Sequence, residues 1–195
     1  GILSGMFVAI GIEITLFGCG LCVLQALERI PEPGKGNAPG ILFYLFNAVI
    51  MLGIALIARG VPQEYPAAIF LFFTSLLTIG PLNFFYYHTL LYRDRPLPYR
   101  ALLHLTPAMA CFALEVLLQS RPAAFKKELV GGFLSDPMSS ILVIPLVAVV
   151  AHILAYVGAI IKVALSDISI SESPRGFRFI LYIAVSIILV IALLL

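Results

Sequence analysis

The sequence predicts an all-α protein, a polytopic bundle of transmembrane helices. Of its 195 residues, 62% are hydrophobic and only 11% are charged, whereas soluble domains average about 45–50% and about 25%. The apolar residues form long continuous runs rather than the alternating pattern of membrane β-strands. Because lipid offers the backbone no hydrogen-bond partners, open sheets are excluded and helices remain. So few charges could not cover the surface of a soluble enzyme or of a nucleic-acid-binding domain.

Six apolar segments are each long enough to cross a bilayer, which takes about 20 residues. They cover residues 1–27, 40–58, 66–92, 101–119, 138–164 and 177–195. Turn-forming or polar stretches separate them, namely the Pro/Gly-rich 30–39, the short 59–65, the basic 91–100 and the Ser-rich 166–176. Residues 120–137 are expected to contain a short amphipathic helix at the membrane surface.

The Lys and Arg residues predict the orientation of the bundle. Eight of them lie in the first, third and fifth connections, and four lie in the second and fourth. Positive residues accumulate on the cytoplasmic side, so the N-terminus is predicted outside an inner (plasma) membrane. Six spans then end outside, and a seventh span would return the chain to the cytoplasm. Because both ends lie within apolar runs, residues 1–195 are expected to be one transmembrane domain cut from a longer protein.

Glu13 lies in the middle of the first segment, where a charge costs about 2.5–3.5 kcal/mol on insertion scales. Gly5 and Ala9 share its helical face, and small residues let a neighbouring helix approach. Two interpretations stay open. Glu13 is either protonated and hydrogen-bonded to a neighbouring helix, or part of a ligand or proton site.

The fourth segment carries His104 and Glu115. They are separated by about three helical turns, so they lie on one stripe with Ala108 and Cys111 between them. The stripe is polar at its ends and small in its middle. This pattern suits either tight packing against another helix or the wall of a cavity.

His152 lies in the fifth segment, one turn before Tyr156. A histidine at such a position is either packed and hydrogen-bonded or a ligand. No pair among the intramembrane histidines and glutamates has a short ligand spacing such as His-x-x-x-His, so no metal site is predicted. No hydrolase nucleophile motif or phosphate-binding loop occurs, and neither an enzyme activity nor a cofactor is expected. The three cysteines, Cys19, Cys22 and Cys111, are expected to pack as small apolar side chains.

The third segment contains Gly80 and Pro81 in mid-run. Proline removes a backbone donor and clashes with the carbonyl four residues earlier, here Leu77, so a kink is predicted. Such a kink is either plain architecture or a hinge in a protein that switches. Asn83 follows, one turn before Tyr87 and on the same face.

The stretch from Gly80 to Pro107 carries a recognisable pattern. Gly80-Pro81-Leu82 is followed by Phe85-Tyr86-Tyr87, a basic turn to Arg100, and Leu102-Leu103-His104-Leu105-Thr106-Pro107. This order resembles the membrane region of the bacterial multi-pass AraC-type transcriptional regulators. That family has about seven N-terminal spans and a cytoplasmic C-terminal helix-turn-helix domain. The sequence departs from the family's pattern at His88, Leu105, Phe177 and Phe179.

The resemblance implies a membrane-embedded sensory domain of a one-component transcription regulator, which passes a signal to an AraC-type DNA-binding domain outside this chain. The implied partners are the lipid bilayer, an unidentified small-molecule or membrane signal, a second copy in a homodimer, and DNA only through the missing domain. The candidate sensing residues are Glu13, Asn83, His104, Glu115 and His152, with Gly80 and Pro81 as the hinge. A small multi-pass transporter or membrane scaffold subunit is the alternative, in which the intramembrane Glu and His residues form a solute or proton path.

Overall fold

The computed structural model describes residues 2–31, 37–91 and 99–166. Within these ranges the chain is helical and contains no strand, which confirms the all-α prediction. The helices are α1 (Ile2–Arg29), α2 (Asn37–Ala58), α3 (Val61–Glu64), α4 (Phe72–Leu91), α5 (Thr106–Gln119), α6 (Ala123–Ser135) and α7 (Val143–Ser166). Short 3₁₀ segments at Pro66–Ile69 and Tyr99–Leu105 precede α4 and α5.

Five helical stretches are long and apolar enough to cross a membrane, which indicates a membrane protein. They cover Ala9–Arg29, Ala38–Ala58, Pro66–Thr89, Tyr99–Gln119 and Val143–Lys162. These stretches correspond to the first five predicted segments. The sixth predicted span, 177–195, and residues 167–176 of the polar stretch before it lie outside the described residues.

The helices α1 and α2 form an antiparallel hairpin. Arg29, at the end of α1, lies beside Gly40, near the start of α2. Further along, Gly18 of α1 faces Met51 of α2, whose Sδ would lie 3.6 Å from a Cβ at residue 18. The Pro/Gly-rich connection predicted at 30–39 therefore separates two helices that pack along their length.

The central helix of the described bundle is α4. About 61% of its span is buried, compared with 6% for the span of α1, and it packs against α2, α5 and α7. The main core contains residues from all four helices: Ile50, Phe73, Leu76, Leu77, Ala108, Cys111 and Val149. At Gly53, a Cβ would overlap the ring of Phe72, so only glycine lets α2 and α4 approach this closely.

The third predicted segment is not one continuous helix. Its 3₁₀ turn ends at Ile69, Leu71 has a φ of 70°, and α4 starts at Phe72. The left-handed conformation costs a leucine about 1–2 kcal/mol, so surrounding contacts must stabilise this break. Helical structure runs through Pro81, where the kink was predicted. The interruption therefore lies ten residues earlier, at a position that no glycine or proline marks.

The short helix expected within 120–137 is α6. Its Val130 is buried, and its Phe133 packs edge-on against Phe73 of α4, with ring centroids 6.2 Å apart. Its Phe125 is 46% exposed. One side of α6 therefore covers the end of the bundle where the third segment is broken.

Candidate functional site

Two of the predicted candidate residues, His104 and His152, meet through Tyr156 of α7. The Tyr156 hydroxyl lies 2.6 Å from Nδ1 of His104, a hydrogen-bond distance. His152 lies one turn earlier on α7, and the centroid of its ring is 4.9 Å from that of Tyr156. We call these three side chains the Tyr156 cluster. It joins the 3₁₀ segment before α5 to α7.

The helix α4 forms the third side of the Tyr156 cluster. A Cβ at Gly80 would lie 2.9 Å from Cδ2 of Tyr156, so glycine is required for this approach. The rings of Phe84 and Phe85 meet Tyr156 and His104 edge-on, each at a centroid distance of 6.3 Å. Gly80, which the sequence predicts as part of a hinge, is therefore the contact point between α4 and α7.

Pro81 contributes to the surroundings of His152. Because proline lacks an N–H, the carbonyl of Leu77 has no helical donor. His152 of α7 approaches this backbone group, yet its buried Nε2 has no hydrogen-bond partner among the described residues. The buried proline thus leaves an acceptor on α4 close to the imidazole ring of His152.

Glu115 is buried and stabilises the first turn of α4. Its Oε1 accepts hydrogen bonds from the backbone N–H groups of Phe73, at 3.1 Å, and Thr74, at 3.4 Å. Its Oε2 accepts one from the Thr74 hydroxyl, at 2.6 Å. The first N–H groups of a helix have no partner within that helix, and its positive end favours an anion. Glu115 therefore satisfies the helix start that follows the break at Leu71.

The predicted stripe on the fourth segment divides into two places. Ala108, Cys111 and Glu115 are buried, whereas His104 is exposed and contacts Tyr156. His104 lies in a 3₁₀ segment, which has 3.0 residues per turn instead of 3.6. The helical spacing that placed His104 above Glu115 therefore does not hold across the start of α5.

Glu13 and Asn83 are the remaining predicted candidates. Glu13 pairs with Arg59, its Oε1 lying 3.6 Å from Nη2, and the two side chains are 74% and 51% exposed. Since Arg59 directly follows α2, this pair places Glu13 beside the C-terminal end of α2. Asn83 is half-buried on α4. The structure thus unites His104 with His152 and places Glu13 elsewhere.

Arg29, one of the basic residues counted in the first connection, has surroundings that were not predicted from the sequence. Its Cζ lies 5.3 Å from the ring centroid of Tyr44 and 5.2 Å from that of Tyr86. The ring of Phe43 stacks on Tyr86, with centroids 5.8 Å apart. Such cation–π contacts contribute about 0.5–2 kcal/mol. The aromatic run Phe85-Tyr86-Tyr87 could have indicated a cation–π site. The spacing of residues within one helix, however, does not predict which arginine of another helix packs against it.

No protein-family model, curated protein or solved structure matches this chain. The resemblance to AraC-type regulators therefore rests on the sequence pattern, namely the motif of residues 80–107, the order of the apolar segments and the bias of the basic residues. Two residues of that motif, Gly80 and His104, contact Tyr156, and a third, Phe85, packs edge-on against His104. Among the described residues, no group of three or more His, Cys, Asp or Glu side chains is placed to hold a metal ion.

Proposed function

We propose that this chain is the membrane-embedded, signal-receiving domain of a one-component transcription regulator, which acts through an AraC-type DNA-binding domain located beyond residue 195. The Tyr156 cluster is the observation that carries this proposal. Residues from both halves of the motif, Gly80 and His104, contact one side chain of α7. Because both halves of the motif contact the same tyrosine, the motif is best explained as one packing unit formed by α4, the start of α5 and α7.

The membrane location is supported by apolar side chains that point away from the bundle. On α1, Ile14 and Phe17 are 65% and 69% exposed, and on α7, Ile144 and Val147 are 66% and 61% exposed. Soluble monomers rarely expose large continuous apolar patches. The bias of Lys and Arg among the connections supports an inner-membrane orientation with the N-terminus outside.

The energetics of the Tyr156 cluster suit a switch. Hydrogen bonds between membrane helices contribute about 0.6 kcal/mol on average, and allosteric coupling amounts to about 1–3 kcal/mol. A signal that favours one packing can therefore break the bond between His104 and Tyr156. Tyr156 lies on α7, C-terminal to the residues of α4 and α5 that it contacts, so a movement of α7 against α4 would carry the signal towards the C-terminal side of the chain.

The break in the third segment favours a sensor over a transporter. In many transporters, the N-terminal end of a broken helix faces an anionic substrate. Here the start of α4 already binds the carboxylate of Glu115. That position is therefore occupied by a side chain of the protein itself.

The proposal is tested in source cells that carry the complete gene as wild type, as a deletion, or with Tyr156→Phe or His104→Ala. RNA sequencing is the readout, and the protein in the membrane fraction is quantified in parallel. Both substitutions remove the hydrogen bond between His104 and Tyr156, so we expect them to shift the transcripts that respond to the deletion. The matched control, Tyr65→Phe, removes the hydroxyl of an exposed tyrosine in a connection and is expected to behave as wild type.

Two results would contradict the proposal. One is an unchanged transcript profile for both cluster variants at wild-type levels in the membrane. The other is a coding sequence that stops just after residue 195, without another span and a helix-turn-helix pattern. The second result favours the transporter or scaffold alternative.

A further inference from the structure

A cavity of about 60 Å³ lies at one end of the bundle. It is partly open to its surroundings and is lined by the 3₁₀ segment Pro66–Ile69, the start of α4, the end of α5 and the inner side of α6. Most of its wall is apolar and includes Phe70, Leu118 and Leu129. Its polar side chains are Glu115, Gln119 and Lys126. The cavity is therefore an apolar space with a few polar groups, which is the usual character of a small-molecule site.

Lys126 brings a positive charge to this cavity. Its Nζ donates a hydrogen bond to the backbone carbonyl of Gln119, at 3.0 Å, and lies 3.5 Å from Oε1 of the same residue. Gln119 ends α5, so this contact satisfies one carbonyl at a helix C-terminus. No carboxylate of the described residues forms an ion pair with Lys126. An ammonium group has three N–H donors, so one of them remains for a ligand.

The negative charge of Glu115 is already matched within the protein. Its two oxygens accept three hydrogen bonds from Phe73 and Thr74. The positive end of α4 stabilises the carboxylate further. Within the described part of the chain, the charged group beside the cavity that has no ion pair is that of Lys126, and a partly buried cation is stabilised by an anion.

We propose that this cavity binds a short-chain carboxylate, with its carboxylate group on Nζ of Lys126 and its alkyl group against Phe70 and Leu129. On the same volume scale, one water molecule needs about 10–15 Å³. A cavity of about 60 Å³ therefore accepts roughly four to six non-hydrogen atoms, the range from acetate to butyrate. The bias of basic residues predicts this end of the bundle outside the cell, where such a solute is accessible.

This inference goes beyond the proposed function, because binding is a property of the chain itself and requires no DNA-binding domain. The chain is reconstituted in lipid nanodiscs and titrated with sodium butyrate, and saturation-transfer NMR reports binding. Butyramide, which has the same shape without the charge, is titrated in parallel. We expect saturable binding of butyrate and an affinity for butyramide that is lower by about tenfold, because a charge-assisted hydrogen bond is lost.

Two variants locate the charge. Lys126→Gln is expected to weaken butyrate binding by about tenfold. The matched control is Lys127→Gln, which removes the next lysine of α6, an exposed side chain, and is expected to bind as wild type. The proposal is overturned if wild type shows no saturable binding, if butyramide binds as well as butyrate, or if both lysine variants bind equally well. The butyramide comparison needs no variant, so it decides the question even if Lys126→Gln does not fold.

Discussion

Glu115 illustrates how a single carboxylate stabilises a helix start inside an apolar bundle. In water, the first N–H groups of a helix can bind solvent, but lipid offers no such partner. The three hydrogen bonds that Glu115 accepts from Phe73 and Thr74 replace those partners. Phe73 and Thr74 follow Leu71, whose backbone is left-handed, by two and three residues. Glu115 thus serves the architecture of α4 as well as lining the adjacent cavity.

Two substitutions of Glu115 are expected to lower the free energy of unfolding by different amounts. Glu115→Ala leaves two N–H groups and a hydroxyl of α4 without an acceptor, which costs about 1–3 kcal/mol for each buried group. Glu115→Gln retains one carbonyl oxygen as an acceptor, so its loss is smaller. Thermal unfolding in nanodiscs measures both. The control Glu128→Ala removes an exposed carboxylate of α6 and is expected to leave Tm unchanged; an equal Tm for Glu115→Ala and wild type would refute the role of Glu115.

At the residue scale, the sequence predicts which side chains are unusual better than it predicts their partners. His104 and His152 stand out because histidine is rare within apolar runs. Their common neighbour Tyr156 does not stand out in the sequence, because tyrosine is a common residue in this chain. Its contact with Gly80 depends on how α4 and α7 pack. The spacing of residues within one helix contains no information on that packing. The two tyrosines around Arg29 escaped prediction for the same reason.

At the scale of the elements, two glycines set the distances between helices. Gly53 of α2 lets the ring of Phe72, from α4, pack directly on the backbone of α2. Gly80 of α4 does the same for the ring of Tyr156, from α7. Both contacts involve α4, which explains why this helix is the most buried of the five long ones. Small residues at close helix contacts are typical of membrane bundles, since helix association there depends on packing.

Gly53→Ala is expected to destabilise the protein by about 1–3 kcal/mol, the typical cost of overpacking. The new methyl group would lie 2.3 Å from Cδ2 of Phe72, so the ring or one of the two helices must shift. Thermal unfolding in nanodiscs is again the measurement. The matched control is Gly20→Ala in α1, where nothing lies within 4 Å of the added atom. It is expected to be neutral or slightly stabilising, because alanine favours helix by about 1 kcal/mol; equal behaviour of the two variants would contradict the close contact.

The positions of the long helices could be predicted from the sequence, whereas the break in the third could not. The bounds of the first five predicted segments mostly agree within a few residues with those of the five long apolar helices. The interruption at Phe70 and Leu71 carries two bulky apolar residues, which resemble their helical neighbours in every local property. Glu115, from another span, provides hydrogen-bond acceptors for the helix that follows the interruption. A feature maintained by a distant side chain leaves no local signal.

At the scale of the whole molecule, the outward-facing apolar side chains require an apolar surrounding. The chain contains no tryptophan, so a single introduced tryptophan reports its own position by fluorescence. Phe17→Trp places it on the exposed face of α1, and Tyr65→Trp places it in the connection after α3. In vesicles of lipids brominated in mid-chain, we expect strong quenching at residue 17 and weak quenching at residue 65. Equal quenching at both positions would contradict a membrane-spanning α1.

The contact between Glu115 and α4 also has a consequence for the order of synthesis. The carboxylate and the N–H of Phe73 lie 42 residues apart in the chain. While the ribosome has produced α4 but not yet α5, the first turn of α4 has no acceptor from Glu115. Lipid would supply none either. The third span, which contains α4, is therefore expected to leave the insertion machinery only when the fourth span, which contains α5, is present. These two spans are expected to enter the bilayer as a pair.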